Sequence, residues 1–368
     1  MGDEKLMRNW LRGMPVVRGD NLKCLTFQAK IGIYAKSGIP ASNEGDMKYI
    51  EKGKRRTSMK RQSTVGKLGV FLGALLFVAV GIAQAQTKAA ASGRGTFTVT
   101  AVGKKEGTLP ITKDDVQFST GKERKQITDW KRDDNLFLAI LIDDSIANAA
   151  AGQWSDLKEF IMAQPATTHI AVGYIRDNAT LVAQDFTADH ELAAKALRIP
   201  IGTGAIGSSP YLGTMDMLKR WPQTGPRRSI LLISSGIDFF RGPGFGPFNP
   251  DLDSVIQIAE RQNTNIWSIY YPSAGHHGRS FYYVTNAQNN LGKLSDDTGA
   301  EMFYLGPGAP VSLKPYFDEI AEHLNNQYLL TFAASGGAKG KYQSVKVRTE
   351  LPEVEFLVPA AVFLPPGA

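Results

Sequence analysis

Two uninterrupted apolar runs constrain the fold of this chain more than any other feature. Residues 136–142 read LFLAILI, and residues 229–233 read SILLI. Such runs are typical of strands that are buried on both faces, as in a parallel sheet covered by helices on each side. Helical and strand-like patterns alternate from residue 136 to residue 325, and this alternation favours a doubly wound sheet. We therefore expect an α/β fold with a mostly parallel, Rossmann-like central sheet.

Hydrophobic periodicity and turn residues place the other elements of this domain. A hairpin is expected through Arg176-Asp177-Asn178, because this polar stretch separates two β-forming segments. Strands are predicted at 169–175, 180–182, 265–270 and 301–305, and helices near 154–161, 188–197, 210–221, 252–262, 287–296 and 311–325.

Strand-like segments also flank the α/β domain on both sides. They lie at 96–102 and 115–119 before it, and at 328–332, 342–348 and 354–358 after it. We expect the two groups to pair and to form a small composite β module. The predicted organisation is a first part of the module at 96–134, the α/β domain at 135–327 and a second part at 328–364.

A targeting segment precedes these domains. Residues 59–85 combine a cationic stretch, the apolar run LGVFLGALLFVAVGIA and the small residues Ala83-Gln84-Ala85, which is the pattern of a secretory signal peptide. The run is shorter than the ~20 apolar residues of a bilayer-spanning helix, so we expect cleavage after Ala85, with an uncleaved anchor as the alternative. We interpret residues 1–58 as a spurious extension or, alternatively, a disordered tail. The protein is then periplasmic, on the cell surface or secreted.

The formal charge of +7 is confined to this leader. Residues 1–86 carry 15 of the 42 basic and 6 of the 35 acidic residues, which leaves 27 basic against 29 acidic in residues 87–368. A near-neutral folded part argues against nucleic-acid binding, which needs a basic surface. The single cysteine, Cys24, precedes the signal segment, and a mature chain without thiols suits an oxidising compartment. Membrane contact is expected only through an uncleaved signal segment.

The common catalytic motifs are missing from the sequence. It has no GxSxG nucleophile elbow, no HExxH zinc motif and no phosphate-binding P-loop. Residues 202–207 match GxGxxG, but Pro200 precedes them, and no acid follows at the distance of about 20 residues that a dinucleotide site needs. We therefore expect a protein that is not an enzyme.

Four segments in a fixed order resemble the von Willebrand factor A domain. They are ILIDDS at 140–145, LLISSGID at 231–238, SIYYP at 268–272 and QYLLTF at 327–332. Over residues 96–364 the chain is most similar to von Willebrand A-related proteins of acidobacterial type, an exported family. The resemblance implies a protein-binding, adhesion-type domain with a metal-ion-dependent adhesion site at the carboxyl ends of the strands.

The resemblance also implies which residues belong to that site. The family motif D-x-S-x-S corresponds to Asp143, Ser145 and Ala147, and Ser209 stands at the threonine position of a second loop. Ala147 lacks the hydroxyl of the second serine, and Ser235 replaces a second aspartate. Affinity for a divalent cation follows the number and charge of its oxygen ligands. We therefore expect a degenerate site that holds Mg²⁺, Mn²⁺ or Ca²⁺ weakly, or no cofactor at all.

Two further acids are candidates to compensate for the lost ligands. Asp144 follows Asp143 directly, and Asp238 lies three residues after Ser235. The alternative interpretation is that Asp143 and Ser145 only satisfy backbone groups in a strand-to-helix turn, where Asp and Ser are good capping residues.

An aromatic loop, FFRGPGFGPFNP at 239–250, follows the second apolar strand. Exposing Phe239, Phe240, Phe245 and Phe248 in water without purpose would be costly, so we interpret them as partner contacts; alternatively, the rings pack over the sheet edge. The expected function is an exported, non-enzymatic protein-binding or adhesion-type module. The main alternative is a cell-envelope scaffold that assembles through its β module, and a hydrolase without a recognisable motif is a third.

Overall fold

The computed structural model describes most of the chain from residue 93 to residue 366, within one compact unit at 81–368. The described ranges are 93–103, 111–147, 152–202, 207–221, 225, 227–241, 248–273, 281–304, 306, 310–334, 336–337 and 339–366. The predicted extension at 1–58 and the signal segment at 59–85 lie outside them.

Fourteen strands, six α-helices and one short 3-10 helix (Lys113–Asp115) are present in these ranges. The strands are β1 (Gly93–Gly103), β2 (Val116–Thr120), β3 (Glu123–Arg124), β4 (Ile127–Lys131), β5 (Leu136–Asp143), β6 (Thr168–Arg176), β7 (Ala179–Thr187), β8 (Arg227–Ser234), β9 (Thr264–Tyr270), β10 (Met302–Phe303), β11 (Gln327–Ala334), β12 (Lys341–Thr349), β13 (Val354–Leu357) and β14 (Ala361–Leu364). The helices are α1 (Trp154–Ala163), α2 (His190–Lys195), α3 (Pro210–Arg220), α4 (Pro250–Gln262), α5 (Phe281–Asp297) and α6 (Lys314–Asn325).

The central sheet has the strand order β10-β9-β8-β5-β6-β7. The chain runs outward from β5 through β6 to β7, and then returns to the other side of β5 with β8. Every neighbouring pair is parallel except β6 and β7. This confirms the predicted doubly wound, mostly parallel sheet, and it places the switch point of the topology between β5 and β8.

The hairpin between β6 and β7 is also as predicted. Asp177 and Asn178 have positive φ angles of 54° and 63°, the conformation that favours a tight two-residue turn between antiparallel strands. However, β7 continues to Thr187, beyond the predicted end at residue 182. Strand β7 is the edge strand and is partly exposed, so polar residues are tolerated along it. It therefore has no apolar run from which its full length could be predicted.

Helices cover both faces of the central sheet, because successive residues of a strand point to opposite sides. On one face, Leu138 and Ile140 of β5 pack with α1, α2 and α6. On the other face, Ala139 and Leu141 pack with α3, α4 and α5. All four side chains are fully buried. No helix in the described ranges combines the length and apolar character needed to cross a bilayer.

The flanking strands form two more sheets around a separate core. Their orders are β13-β1-β11-β4 and β14-β12-β2-β3, so each sheet combines strands from before and after the α/β domain. Phe97, Phe118 and Phe332 meet in this core, with ring centroids 4.6 to 6.2 Å apart. This confirms the composite β module. The structure adds β3, β4 and β14, for which no strands are predicted; β3 and β14, with two and four residues, are too short to show a period.

Hydrogen bonds tie the β module to α4 and the turn that follows it. The side chain of Asn263 accepts a hydrogen bond from the backbone N–H of Thr98 at 2.7 Å. The carboxyl group of Glu260 accepts one from the backbone N–H of Ala361 at 3.0 Å. These bonds anchor β1 and β14 to the helical layer of the α/β domain.

Candidate functional site

Asp143 and Ser234 end two neighbouring parallel strands, β5 and β8, so they meet at one edge of the sheet. The Asp143 carboxylate accepts hydrogen bonds from the backbone N–H of Ser145 at 2.9 Å and from its hydroxyl at 2.7 Å. Its other oxygen accepts one from the Ser234 hydroxyl at 2.7 Å. The structure thus brings Asp143 and Ser145 together, and it adds Ser234, which the sequence analysis does not single out.

The Asp143 carboxyl group is only 2% exposed. Burial raises its pKa, and the hydrogen bonds from Ser234 and Ser145 act in the opposite direction. The neighbouring charge of Asp144 raises the pKa slightly further. The three donors therefore hold this carboxylate in a place that water does not reach, and they fix the turn that follows β5.

Asp144 is turned towards a different partner, Arg198. The two groups form a bidentate ion pair with N–O distances of 2.7 and 2.6 Å, and the Asp144 side chain is completely buried. The guanidinium group also lies 3.7 Å from the centroid of the Tyr174 ring. The charge of Asp144 is therefore already neutralised by the protein itself.

Ser209 caps a helix. Its hydroxyl accepts a hydrogen bond from the backbone N–H of Leu212 at 3.4 Å, at the start of α3. Its own backbone N–H donates to the side chain of Asn178 at 2.9 Å, and the hydroxyl of Ser208 accepts from the backbone N–H of Asn178 at 3.1 Å. The turn between β6 and β7 thereby holds the loop before α3 in position.

Asp238 and Ser235 lie in the segment after β8. The Ser235 hydroxyl accepts a hydrogen bond from the backbone N–H of Ile237 at 3.4 Å. The Asp238 carboxylate accepts one from the backbone N–H of Arg241 at 3.0 Å and one from the Asn249 side chain at 3.3 Å. Both side chains therefore have structural partners within their own loop.

Tyr211 lies near both Asp143 and Asp238, whose charges act on its hydroxyl group, and no motif in the sequence points to it. This buried tyrosine of α3 donates its hydroxyl proton to the backbone carbonyl of Gly236 at 2.9 Å. Burial raises its pKa, and the negative charges of Asp238 and Asp143 raise it further. The tyrosine hydroxyl therefore stays protonated. Only its apolar, helical spacing is visible in the sequence, and that signal indicates core packing.

The donors around Asp143 do not fit a tightly held divalent cation. Mg²⁺ and Ca²⁺ need several oxygen ligands, and their affinity rises with the number of charged ligands among them. Here the hydroxyls of Ser145 and Ser234 surround a single carboxylate, while Arg198 takes the charge of Asp144. The donor set fits weak binding of a cation at most.

Exposed aromatic side chains mark the same edge of the sheet. In the segment after β8, Phe240 is 55% exposed and Phe248 is 76% exposed. At the start of α5, Phe281 is 85% exposed and Tyr282 is 55% exposed. We call these four side chains the aromatic rim. Phe239 is half-buried, and Phe245 lies outside the described residues. The helix predicted at 287–296 begins too late to include Phe281 and Tyr282.

A cavity of about 200 Å³ opens beside the aromatic rim. Phe248 and Tyr282 line it together with the polar side chains of Asp238 and Asn290. Arg241, on the same wall, forms a bidentate ion pair with Asp251 of α4, with both N–O distances at 2.7 Å. The result is an apolar surface with a charged and polar border.

Comparison with known proteins identifies no family for this chain. Neither the known protein families nor the curated proteins include a match to the sequence. Among solved structures, the von Willebrand factor type A protein from Catenulispora acidiphila is similar at 11% identity and a TM-score of 0.39, covering 76% of this chain and 75% of that one. The assignment to the acidobacterial type stays a prediction.

Two further solved structures are similar to a comparable degree. The ArnB paralog VWA2 from Sulfolobus acidocaldarius has 9% identity and a TM-score of 0.36, covering 73% of this chain and 76% of that one. The SpRpn10 VWA domain has 15% identity and a TM-score of 0.30, covering 50% of this chain and 95% of that one. Similarity at this level carries no functional assignment.

Proposed function

We propose that this chain is an exported, non-enzymatic protein-binding module whose partner docks on the carboxyl-terminal edge of the central sheet. One observation carries this proposal: two separate segments, after β8 and at the start of α5, both present exposed aromatic side chains at that edge. Exposed apolar patches with a polar border are typical of sites for protein contact.

The aromatic rim offers enough apolar surface to matter in binding. Fully burying one large apolar side chain contributes roughly 1.5–3 kcal/mol. Phe248 and Tyr282 line one cavity, so a single apolar group of a partner can contact both rings. The Arg241–Asp251 ion pair and the carboxylate of Asp238 would then form the polar border that fixes the orientation of the partner.

Site-specific photocrosslinking in the native host tests this proposal. A photoreactive residue at Phe248 or Tyr282 of the full chain should capture the same partner. The same residue at Leu192, an exposed position of α2, should not capture it. If only a probe at Lys346, on β12, captured a partner, the alternative of a scaffold that assembles through its β module would replace our proposal. Capture equally from all positions, or from none, would also contradict it.

We further propose that the Asp143 site is degenerate. Its hydrogen bonds stabilise the turn after β5, and it does not bind a divalent cation tightly. The thermal midpoint of the full chain should change little with millimolar Mg²⁺, Mn²⁺ or Ca²⁺, because a ligand stabilises a protein only when its concentration exceeds the dissociation constant. The near-isosteric variant Asp143→Asn should respond in the same way. A clear rise in the midpoint of the wild type that Asp143→Asn abolishes would show a working metal site.

Export is part of the same proposal. We propose cleavage after Ala85, and mass spectrometry of the protein recovered from its host should then find an N-terminus at Gln86. An intact signal segment in the mature protein would indicate a membrane anchor instead. A peptide from residues 1–40 in native material would contradict our interpretation that this stretch is spurious.

A further inference from the structure

Two carboxylates and one imidazole meet at the outer edge of the central sheet, away from the site described above. Glu301 directly precedes the edge strand β10, and Glu319 and His323 lie on α6. One ligand atom from each of the three side chains lies within 4.8 Å of the others. Strand β10 is three strands away from β5 in the order of the sheet. The cluster is therefore independent of Asp143.

The local sequence explains why two of these groups share one face of the helix. Glu319 and His323 are four positions apart in the sequence, and residues at this spacing lie one above the other on an α-helix. His323 also belongs to the last turn of α6, where the helix dipole favours positive charge. The helix thus presents the Glu319 carboxylate and, one turn later in its last turn, the His323 imidazole on the same side.

His323 has an unsatisfied nitrogen. The residue is 4% exposed, and its ring lies against that of Trp267 with centroids 5.4 Å apart. Its Nδ1 atom is buried and has no hydrogen-bond partner among the residues that the structure describes, although buried polar atoms are nearly always bonded. A buried imidazole nitrogen without a protein partner is a ready ligand for a metal ion.

The negative charge of the cluster is not compensated by the protein. The Glu301 and Glu319 carboxyl groups lie close to each other and to His323, so two like charges repel each other at short distance. Within the described ranges, no lysine or arginine forms an ion pair with Glu301 or Glu319. A bound cation would remove this repulsion.

We propose that Glu301, Glu319 and His323 bind one divalent transition-metal ion of the zinc type. A set of two carboxylates and one imidazole suits Zn²⁺ better than Mg²⁺ or Ca²⁺, which prefer oxygen ligands alone. Zinc bonds of about 2.0–2.2 Å require the ligands to move closer together. Glu319 is exposed and its side chain is free to make that adjustment. The ion would fasten α6 to the start of the two-residue strand β10.

Titration calorimetry of the full chain, stripped with a chelator and then titrated with ZnCl₂, tests the proposal. Glu319→Gln should weaken or abolish one zinc site of the wild type, by more than about tenfold in affinity, since loss of even an outer-shell partner costs about 10–100-fold. Glu322→Gln is the matched control: it removes one charge from the same helix but leaves all three proposed ligands, and it should titrate like the wild type.

Cys24 and the histidine pair His276-His277 also lie in the full chain, so the comparison of variants, rather than the total zinc bound, is the decisive reading. His323→Gln should lose the same site as Glu319→Gln. If it fails to fold, Glu301→Gln replaces it. MgCl₂ and CaCl₂ should give no heat that depends on Glu319. Equal zinc binding by the wild type, Glu319→Gln and Glu322→Gln would overturn the proposal, as would equal losses in the two variants.

Discussion

Replacing Arg198 by methionine should destabilise the protein strongly, because it leaves a buried charge without its partner. The Asp144 side chain is completely buried, and Arg198 contacts both of its oxygens. Methionine keeps much of the apolar contact with the Tyr174 ring but removes the positive charge. Among the described residues, the remaining hydrogen bond to the Asp144 carboxylate comes from the backbone N–H of Ile201 and is long at 3.3 Å. It cannot replace a bidentate ion pair.

The size of this effect follows from the burial of the two partners. Removing one member of a buried ion pair costs about 3–5 kcal/mol. The Arg198 side chain is 41% exposed, and water can therefore partly solvate the site after the substitution. We accordingly expect the lower end, about 3 kcal/mol. In a domain of this size, 1 kcal/mol shifts the thermal midpoint by about 2–4 °C, so the midpoint should fall by roughly 6–12 °C.

Differential scanning fluorimetry and urea unfolding of the full chain measure this change. The matched control is Lys195→Met, only three residues before Arg198 in the chain. It breaks an exposed ion pair between Lys195 and Glu191. That pair should contribute less than about 1 kcal/mol. The double variant Asp144→Asn/Arg198→Met should recover part of the loss, since the unpaired charge is then absent. If Arg198→Met were no less stable than Lys195→Met, our account of Asp144 would be refuted.

Two further predictions concern packing and pH. Gly213→Ala should lower the free energy of unfolding by about 1–3 kcal/mol, because a β-carbon there would lie 2.3 Å from a side-chain carbon of Ile175. Gly292→Ala, where a β-carbon on α5 meets open space, should raise the free energy of unfolding by up to about 1 kcal/mol through helix propensity. Equal effects of the two variants in urea unfolding would contradict this contrast. Burial raises the pKa of Glu260 from 4.5 to about 7, so the contribution of this group to the stability of the fold is complete below the unfolded pKa and is lost as the pH rises through about 7. The wild type should therefore lose more stability than Glu260→Gln between about pH 5 and pH 8. Parallel pH profiles of the two proteins would contradict this assignment.

The sequence by itself determined the class of the fold. Residues 136–142 form a strand that is buried on both faces because every position in it is apolar, and that local property needs no knowledge of the partner strands. The same local pattern placed Asp143 and Ser145 at the end of this strand. Hydrophobic periodicity was less informative for β7 and for the start of α5, because exposed elements need not alternate between polar and apolar residues.

Only the tertiary structure decided which groups meet. Asp144 pairs with Arg198, 54 residues away, and Asp143 with Ser234, 91 residues away, although Ser235 is the position that the family pattern indicates. Tyr282 joins Phe248 at one cavity through the packing of α5 beside the loop after β8. The pattern of neighbouring residues in the sequence predicts whether a residue is buried. The chemical partners of that residue depend on the strand order, which no local pattern encodes.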